Sequence, residues 1–201
     1  MSRTVSAVTV VLLAVIGIAA TYVVQRINAP QIAAAQRLIE TRKLLDLLPL
    51  QTYDNQPLEQ PLALADTALS HSTLTGGYRA TLGGQTVAIL LRSQAQGYAG
   101  AIELLIAVDA NGRLLGVKIL KQTETPALGG HLGDWPNAWL QTFIGKSGNE
   151  PTEAGWALKK DRGQFDQMAG ATITSRAAIS AIHDALRYFD KHRAALLGSG
   201  T

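Results

Sequence analysis

The chain is expected to fold as an α+β protein, with an N-terminal transmembrane helix followed by a soluble domain of antiparallel sheet and packed helices. Three observations carry that expectation. Residues Val5 to Val24 contain no charge. Two pairs of short apolar runs each flank a glycine-bearing turn, and the C-terminal stretch repeats its large apolar residues at helical spacing.

The first element is the charge-free run. It is built mostly of Val, Leu, Ile and Ala, with Arg3 and Arg26 at its borders and Tyr22 near one end. Twenty residues at about 1.5 Å each reach the roughly 30 Å of a bilayer core. A cleaved signal peptide has an apolar core of about 7–15 residues, so the length favours an uncleaved anchor over residues 1–26. Its contact with the lipid bilayer would run through residues 5–24. Charge alone does not orient it. One arginine and the amino terminus precede the run and Arg26, Arg37, Arg42 and Lys43 follow it, which slightly favours an outward amino terminus.

A helix is expected next, from Gln31 to Leu48. Ile32, Ala35, Leu38, Ile39, Leu45 and Leu48 recur at spacings of three and four, and Pro49 ends the run. It reads as a stalk or as a helix packed on the domain. Gln51 to Thr75 are rich in Pro, Gln, Ser and Thr and read as an irregular connection. The soluble domain is expected over 76–192, leaving 27–75 as helix plus connection and 193–201 as a tail. Tyr78–Leu82 and Thr86–Arg92 flank Gly83-Gly84, and Ala101–Asp109 and Arg113–Leu120 flank Ala110-Asn111-Gly112. Both pairs read as hairpins, because Gly and Asn tolerate positive φ. In the third strand both alternating sets are apolar, Leu104, Ile106 and Val108 against Leu105 and Ala107, so it should be buried on both faces. Leu132 to Ile144 is expected to form a short helix with Trp135, Trp139 and Phe143 on one side. Ser175 to His192 is expected to form the last helix, presenting Ile179, Ile182, Leu186 and Phe189.

Composition removes several functions. The net charge is only +3, its cations are dispersed, and pairs such as Arg42-Lys43 and Lys159-Lys160 read as solvated surface, so a pI of 9.3 makes no case for nucleic acid. Cysteine is absent. That excludes disulfides, iron–sulfur clusters held by this chain, covalent c-type haem and thiol catalysis. His131, His183 and His192 read as solvated or capping groups and no metal ligand set is expected. Glu103, Asp109 and Asp134 form no paired-carboxylate arrangement. There is no G-x-S-x-G elbow, phosphate loop or G-x-G-x-x-G, so no autonomous catalytic residue is expected.

What remains is the stretch Asp166-Gln167-Met168-Ala169-Gly170-Ala171-Thr172, which runs through Ile173, Thr174, Ser175 and Arg176 into the last helix. The Thr172 hydroxyl would sit beside the free N–H groups of a helix start, where a phosphate is welcome. Gly170 and Ala171 allow close approach to the backbone, and Thr174 or Ser175 can cap the helix. Taken alone, the pattern is that of an ordinary helix cap, an arrangement common to many helices. Upstream, Pro126 in Glu124-Thr125-Pro126-Ala127-Leu128-Gly129 fixes φ and biases Thr125 towards extended backbone. Such a loop would present the main-chain groups of Glu124, Thr125 and Gly129, with Leu128 beside them, and by itself the pattern is also that of a plain surface turn.

The first stretch resembles the D-x-x-S/T-G-A-T signature at which a flavin transferase joins FMN, through its phosphate, to the last threonine. The second resembles an E-T-P-G-L-G loop. With Gly97–Leu105, Trp156–Asp161 and the N-terminal span, they resemble the G-subunit family of Rnf (also called Rsx) electron-transport complexes, whose members carry an FMN-binding domain. The resemblance covers roughly Gly77 to Tyr188. It implies FMN attached covalently to Thr172, electron transfer between ferredoxin and NAD coupled to ion translocation, and partnership with the rest of the complex. It further implies maturation by a transferase using FAD and magnesium, and an inner-membrane location with the soluble domain in the periplasm. Ala169 stands where the family has Ser or Thr, and Ala127 where it has Gly. Ala127 would be strained if that position needs positive φ. Two alternatives stay open: the C-type member of the sodium-translocating NADH:quinone reductase, and a membrane-tethered binding or structural module without cofactor. Adjacent Lys159 and Lys160 are expected to face solvent rather than phosphate.

Overall fold

In the computed structural model, which describes residues 13–19, 21–22, 24–29, 44–49, 52–62, 64 and 67–198, the alternating apolar runs pair into one antiparallel sheet. Its strands are β1 (Pro61–Leu62), β2 (Thr67–Ala68), β3 (Ser72–Leu82), β4 (Gln85–Gln96), β5 (Ala101–Asp109) and β6 (Leu114–Lys121), in the order β1-β3-β4-β5-β6 with β2 also on β3. The β3–β4 turn is Gly83-Gly84, at φ 59° and 79°, between the paired residues Leu82 and Gln85. Two positive φ values in a two-residue loop match the right-handed twist of the strands. At the β5–β6 turn the Asp109 carboxylate accepts the N–H groups of Asn111 and Arg113, both at 2.8 Å.

Both faces of the sheet are covered. On one, Leu74, Ile89, Leu91, Leu104, Ile106 and Val108 pack against the long helix and an aromatic group of Phe143, Trp156 and Phe165. On the other, Ala80, Ala88, Leu90, Leu105 and Ala107 meet Leu45, Leu47 and Leu48. Strand β5 is therefore buried on both sides, as its unbroken apolar sequence requires. The helix expected to end at Leu48 contributes only its last residues here. Residues 31–43 lie outside those described.

Three expectations need correction. Residues 52–75 are not merely irregular: they hold a 3-10 turn (Pro57–Glu59), β1, β2 and the first residues of β3, where Leu74 is fully buried. Leu132–Ile144 is not one helix. A 3-10 turn (Gly129–Gly133) precedes α1 (Ala138–Gln141), because Pro136 cannot donate within a helix and Asn137 begins a new one by accepting the Leu140 N–H at 2.9 Å. Trp139 and Phe143 still meet edge-on at 4.9 Å, but Trp135 turns away and lies under the Lys118 Nζ. The last helix, α2, runs longer than expected, from Thr172 to Leu197, with a kink at His192 and a left-handed cap at Gly198. Ile179, Ile182, Leu186 and Phe189 face the core as expected.

Residues 13–19, 21–22 and 24–29 are helical and belong to a separate unit, Met1–Lys43. No helix among the described residues is long and apolar enough to cross a membrane. Residues 5–12, 20 and 23 of the charge-free run lie outside them.

On α2, the Asp190 carboxylate rests against Gly112 and Gly148, where an added Cβ would sit 2.8 and 2.6 Å from its oxygens. Burial pushes its pKa above the usual carboxylate range, and Arg193 only partly opposes this. A raised folded-state pKa means that the ionised form opposes folding. That cost is absent below the unfolded-state pKa and complete above the folded-state one. Asp190→Asn is therefore expected to raise the melting temperature at neutral pH, with a gain that disappears as pH falls through the carboxylate range. Thermal denaturation at a series of pH values reads it directly.

Candidate functional site

Three segments converge at one end of the sheet: the β4–β5 turn, the loop after β6, and the start of α2. Their meeting point is Glu124, a carboxylate only 6% exposed. Its Oε1 accepts the Ala99 N–H at 3.0 Å from the turn, and its Oε2 accepts the Thr174 hydroxyl at 2.5 Å from the helix. A buried carboxylate is tolerated when both oxygens are bonded in this way. Gln122 shapes the loop from within, accepting the Glu124 N–H at 2.6 Å and donating to the Gly130 carbonyl at 3.3 Å. The Thr125 carbonyl takes the N–H groups of Leu128 and Gly130 at 3.0 and 2.8 Å. Ala127 adopts no positive φ. Among the described residues Arg162 is the only non-glycine that does, so alanine brings no backbone strain to this loop.

Thr172 is set by a tight turn. The Ala171 N–H returns to the Met168 carbonyl at 3.1 Å, and Gly170, third of the four residues, stands at φ 69°. Positive φ at that position is the demand of a type II turn. Ser175 pins the turn from below, its hydroxyl accepting the Met168 N–H at 3.0 Å and donating to the Ala171 carbonyl at 2.7 Å. Neither Thr174 nor Ser175 caps the helix, contrary to expectation. Both already lie within its first turn, with their hydroxyls committed to Glu124 and to the turn. The cap position belongs to Ala171, and among the described residues no side chain caps the first N–H groups. These donors stay open, and the helix dipole adds partial positive charge there.

The stretch Trp156–Asp161 comes back across this point. Trp156 and Leu158 are buried. The Lys159 N–H bonds the Phe165 carbonyl at 2.7 Å and the Gly163 N–H returns to Leu158 at 2.9 Å, with Arg162 left-handed between them. Asp161 then takes both Nε and Nη2 of Arg176 at 2.7 and 2.8 Å. That hydrogen-bonded guanidinium holds the Asp161 carboxyl below the usual range, and the Arg176 pKa rises in return. The clamp places the Lys160 Nζ 2.7 Å from the Thr172 Oγ1, which in turn donates to the Gln167 Oε1 at 3.0 Å. Lys160 thus points at the hydroxyl instead of facing solvent alone. Asp166 stays outside, paired with Lys159 at 2.7 Å, while its carbonyl receives the Trp139 indole N–H at 2.6 Å.

Between these segments lies a half-open cleft of about 330 Å³. Eight of the nine residues singled out in the sequence line it: Glu124, Thr125, Leu128, Gly129, Gly170, Ala171, Thr172 and Thr174. Ser175 is buried beneath it. Tyr98 and Ile173, not singled out, complete the wall. Tyr98 was traceable as an aromatic between two glycines, and its side chain is 71% exposed at the rim. The histidines lie elsewhere. His131 meets Asp134 at 3.0 Å, His192 bonds the Tyr188 carbonyl at 2.9 Å, and His183 stacks on Trp156, its pKa lowered chiefly by burial. No cluster of three metal-ligating groups occurs among the described residues. Chemically, the cleft offers one hydroxyl flanked by a lysine and open backbone donors, opposite apolar and aromatic walls. That set suits a phosphate ester joined to a flat ring.

A family model described as FMN-binding domain matches residues 97–187. The chain is 46% identical over 188 residues to the G component of an ion-translocating oxidoreductase complex from Pseudomonas aeruginosa, covering 92% of this chain and 88% of that protein. A protein of the same name from Cereibacter sphaeroides is 42% identical, covering 77% and 69%. One from Vibrio vulnificus is 33% identical, covering 86% and 82%. Among solved structures, the C component of the Na+-translocating NADH-quinone reductase from Parabacteroides distasonis superimposes with a TM-score of 0.48 at 22% identity, covering 60% of this chain and 63% of that one.

A methyl group at Gly170 would meet Leu128 Cδ2 at 2.6 Å in a left-handed backbone. Gly170→Ala is expected to lower stability by about 1–2 kcal/mol from the backbone alone and to push Leu128 out of the cleft wall. Urea denaturation and the Leu128 methyl resonances check the two parts. Loss of the guanidinium in Arg176→Gln should return the Asp161 titration to the ordinary carboxylate range, as followed by NMR.

Proposed function

The chain belongs to the G-subunit family of ion-translocating oxidoreductase complexes, and from that premise we propose that it carries FMN as a phosphoester on Thr172 and serves as a membrane-anchored electron carrier. One observation supports this most. The only hydroxyl of the cleft that meets both Lys160 and Gln167 is also the one at an uncapped helix start. In the attachment reaction the Thr172 Oγ1 forms a bond to the FMN-side phosphorus of FAD. The pyrophosphate linkage breaks, AMP departs, and the hydroxyl proton is released to a base of the transferase, which supplies magnesium as well. Gly170 and Ala171 leave room for that approach. Lys160 and the first-turn N–H groups would then face the phosphodiester, and the helix start favours such an exposed anion by about 0.3–1 kcal/mol.

When bound, the flavin supplies reversible electron uptake and release, and this chain supplies attachment, orientation and local electrostatics. Leu128, Ile173 and Tyr98 would flank the ring, with the Thr125 backbone at its edge. The electrons would pass between the other members of an Rnf-type complex working between ferredoxin and NAD. The domain would stand on the periplasmic side of the inner membrane, held by residues 5–24. The 46% identity to the Pseudomonas G component, over most of both chains, favours this placement over the C component of the NADH:quinone reductase. A cofactor-free tethered module is the remaining alternative, and it predicts a colourless protein.

Coexpression with a flavin transferase is expected to give yellow protein whose flavin stays with the denatured chain, with the FMN mass on the peptide containing Thr172. Thr172→Val should abolish that mass without loss of the folded domain, as judged by circular dichroism. An unmodified wild-type peptide, despite a competent transferase, defeats the proposal.

A further inference from the structure

The cations around Thr172 are not equivalent. Lys159 is bonded to Asp166 at 2.7 Å and Arg176 is held by both oxygens of Asp161, whereas Lys160 directs its Nζ to the Thr172 Oγ1 itself. Resting on the proposed attachment, we infer that Lys160 is a positioning residue that holds the phosphodiester once Thr172 is esterified, and that through it the Trp156–Asp161 loop fixes the orientation of the ring. Esterification removes the hydroxyl hydrogen, so the bond donated to Gln167 is lost. Lys160 only donates, and it gains anionic acceptors two bonds beyond the oxygen it already touches. A charge-assisted contact of this kind is roughly twice as strong as its neutral predecessor. Two features keep the lysine there. Asp161, its neighbour, is clamped to Arg176 on α2, one helical turn from Thr172. Gly163 permits the fold-back, since a Cβ there would collide with the Ala157 backbone.

The test uses full-length flavinylated protein: wild type, Lys160→Gln, Lys160→Arg and Lys159→Gln. Peptide mass first reports occupancy of Thr172, and time-resolved anisotropy of flavin fluorescence then reports ring motion. Wild type, Lys160→Arg and Lys159→Gln should depolarise mainly with tumbling of the protein. Lys160→Gln should at least double the amplitude of the fast component. An unchanged decay in fully occupied Lys160→Gln overturns the inference, as does an equal change in Lys159→Gln. A second measurement needs no variant. Acetylation of Lys160 in wild type should slow by roughly fivefold on flavinylation, the factor given by about 1 kcal/mol of added contact energy, while Lys159 keeps its rate. Equal Lys160 rates in the two forms overturn the inference. A wild-type chain that takes up no flavin defeats the attachment reading beneath it, and that outcome is distinguished by mass alone.

Discussion

The site depends on the hydrogen bond between the Thr174 hydroxyl and the buried Glu124 carboxylate. The three segments that build the cleft are far apart in sequence: residues 97–100, 122–130 and 168–176. Glu124 is bonded to all three, through the Ala99 N–H, the Gln122 side chain and Thr174. A carboxylate in that position demands space and partners together. Its space comes from glycine, since a Cβ at Gly129 would lie 2.8 Å from Oε2. Its partners come from the turn and the helix. Removing one of them would leave a buried acceptor unmet, at a cost of about 1–3 kcal/mol or more for a charged group. The distance between the loop wall and Thr172 is therefore set by bonding, not by loose packing.

The same commitment of hydroxyls explains the open helix start. A Ser or Thr at the cap position typically stabilises a helix by about 1 kcal/mol. Here that position is Ala171, and the two nearby hydroxyls are employed elsewhere, Thr174 on Glu124 and Ser175 on the Met168–Ala171 turn. The helix keeps its stability from tertiary burial instead: Ile179, Ile182, Leu186 and Phe189 are almost wholly inaccessible. An orphaned set of donors is thus tolerated at the one end that borders the cleft, and those donors are what an anion requires.

Much of this was legible in the sequence because it follows from local rules. Gly83, Gly84 and Gly112 mark their turns through positive φ, and the period of the last helix places its apolar face. The doubly apolar run of β5 announces burial on two sides. Where the reading failed, a non-local term had decided the outcome. Ser72 and Leu74 sit in a strand although their surroundings look like a linker, because β4 offers a long unpaired edge and Leu74 reaches the core. The tryptophans of residues 132–144 divide because Pro136 breaks the helix that would have aligned them, leaving Trp135 to Lys118 and Trp139 to the Asp166 carbonyl. Even Ser175, singled out as a helix cap, instead holds the Met168–Ala171 turn from beneath the cleft.

Lys160 shows the limit most clearly. Adjacent lysines ordinarily read as solvated surface, and nothing within Lys159-Lys160 distinguishes the two. The distinction is made by what each one's neighbours are tied to. Phe165 and Gly163 fold the loop back, Asp161 fastens it to Arg176, and Lys159 is drawn off by Asp166. Lys160 is then left facing Thr172, twelve positions away in sequence and 2.7 Å away in space. The linear motif contains the hydroxyl, but the electrostatics around it are delivered by tertiary structure. Two chains sharing Gly-Ala-Thr can therefore differ widely in the charge they place beside the same hydroxyl. A motif predicts where a bond can form, and the fold determines what surrounds it afterwards.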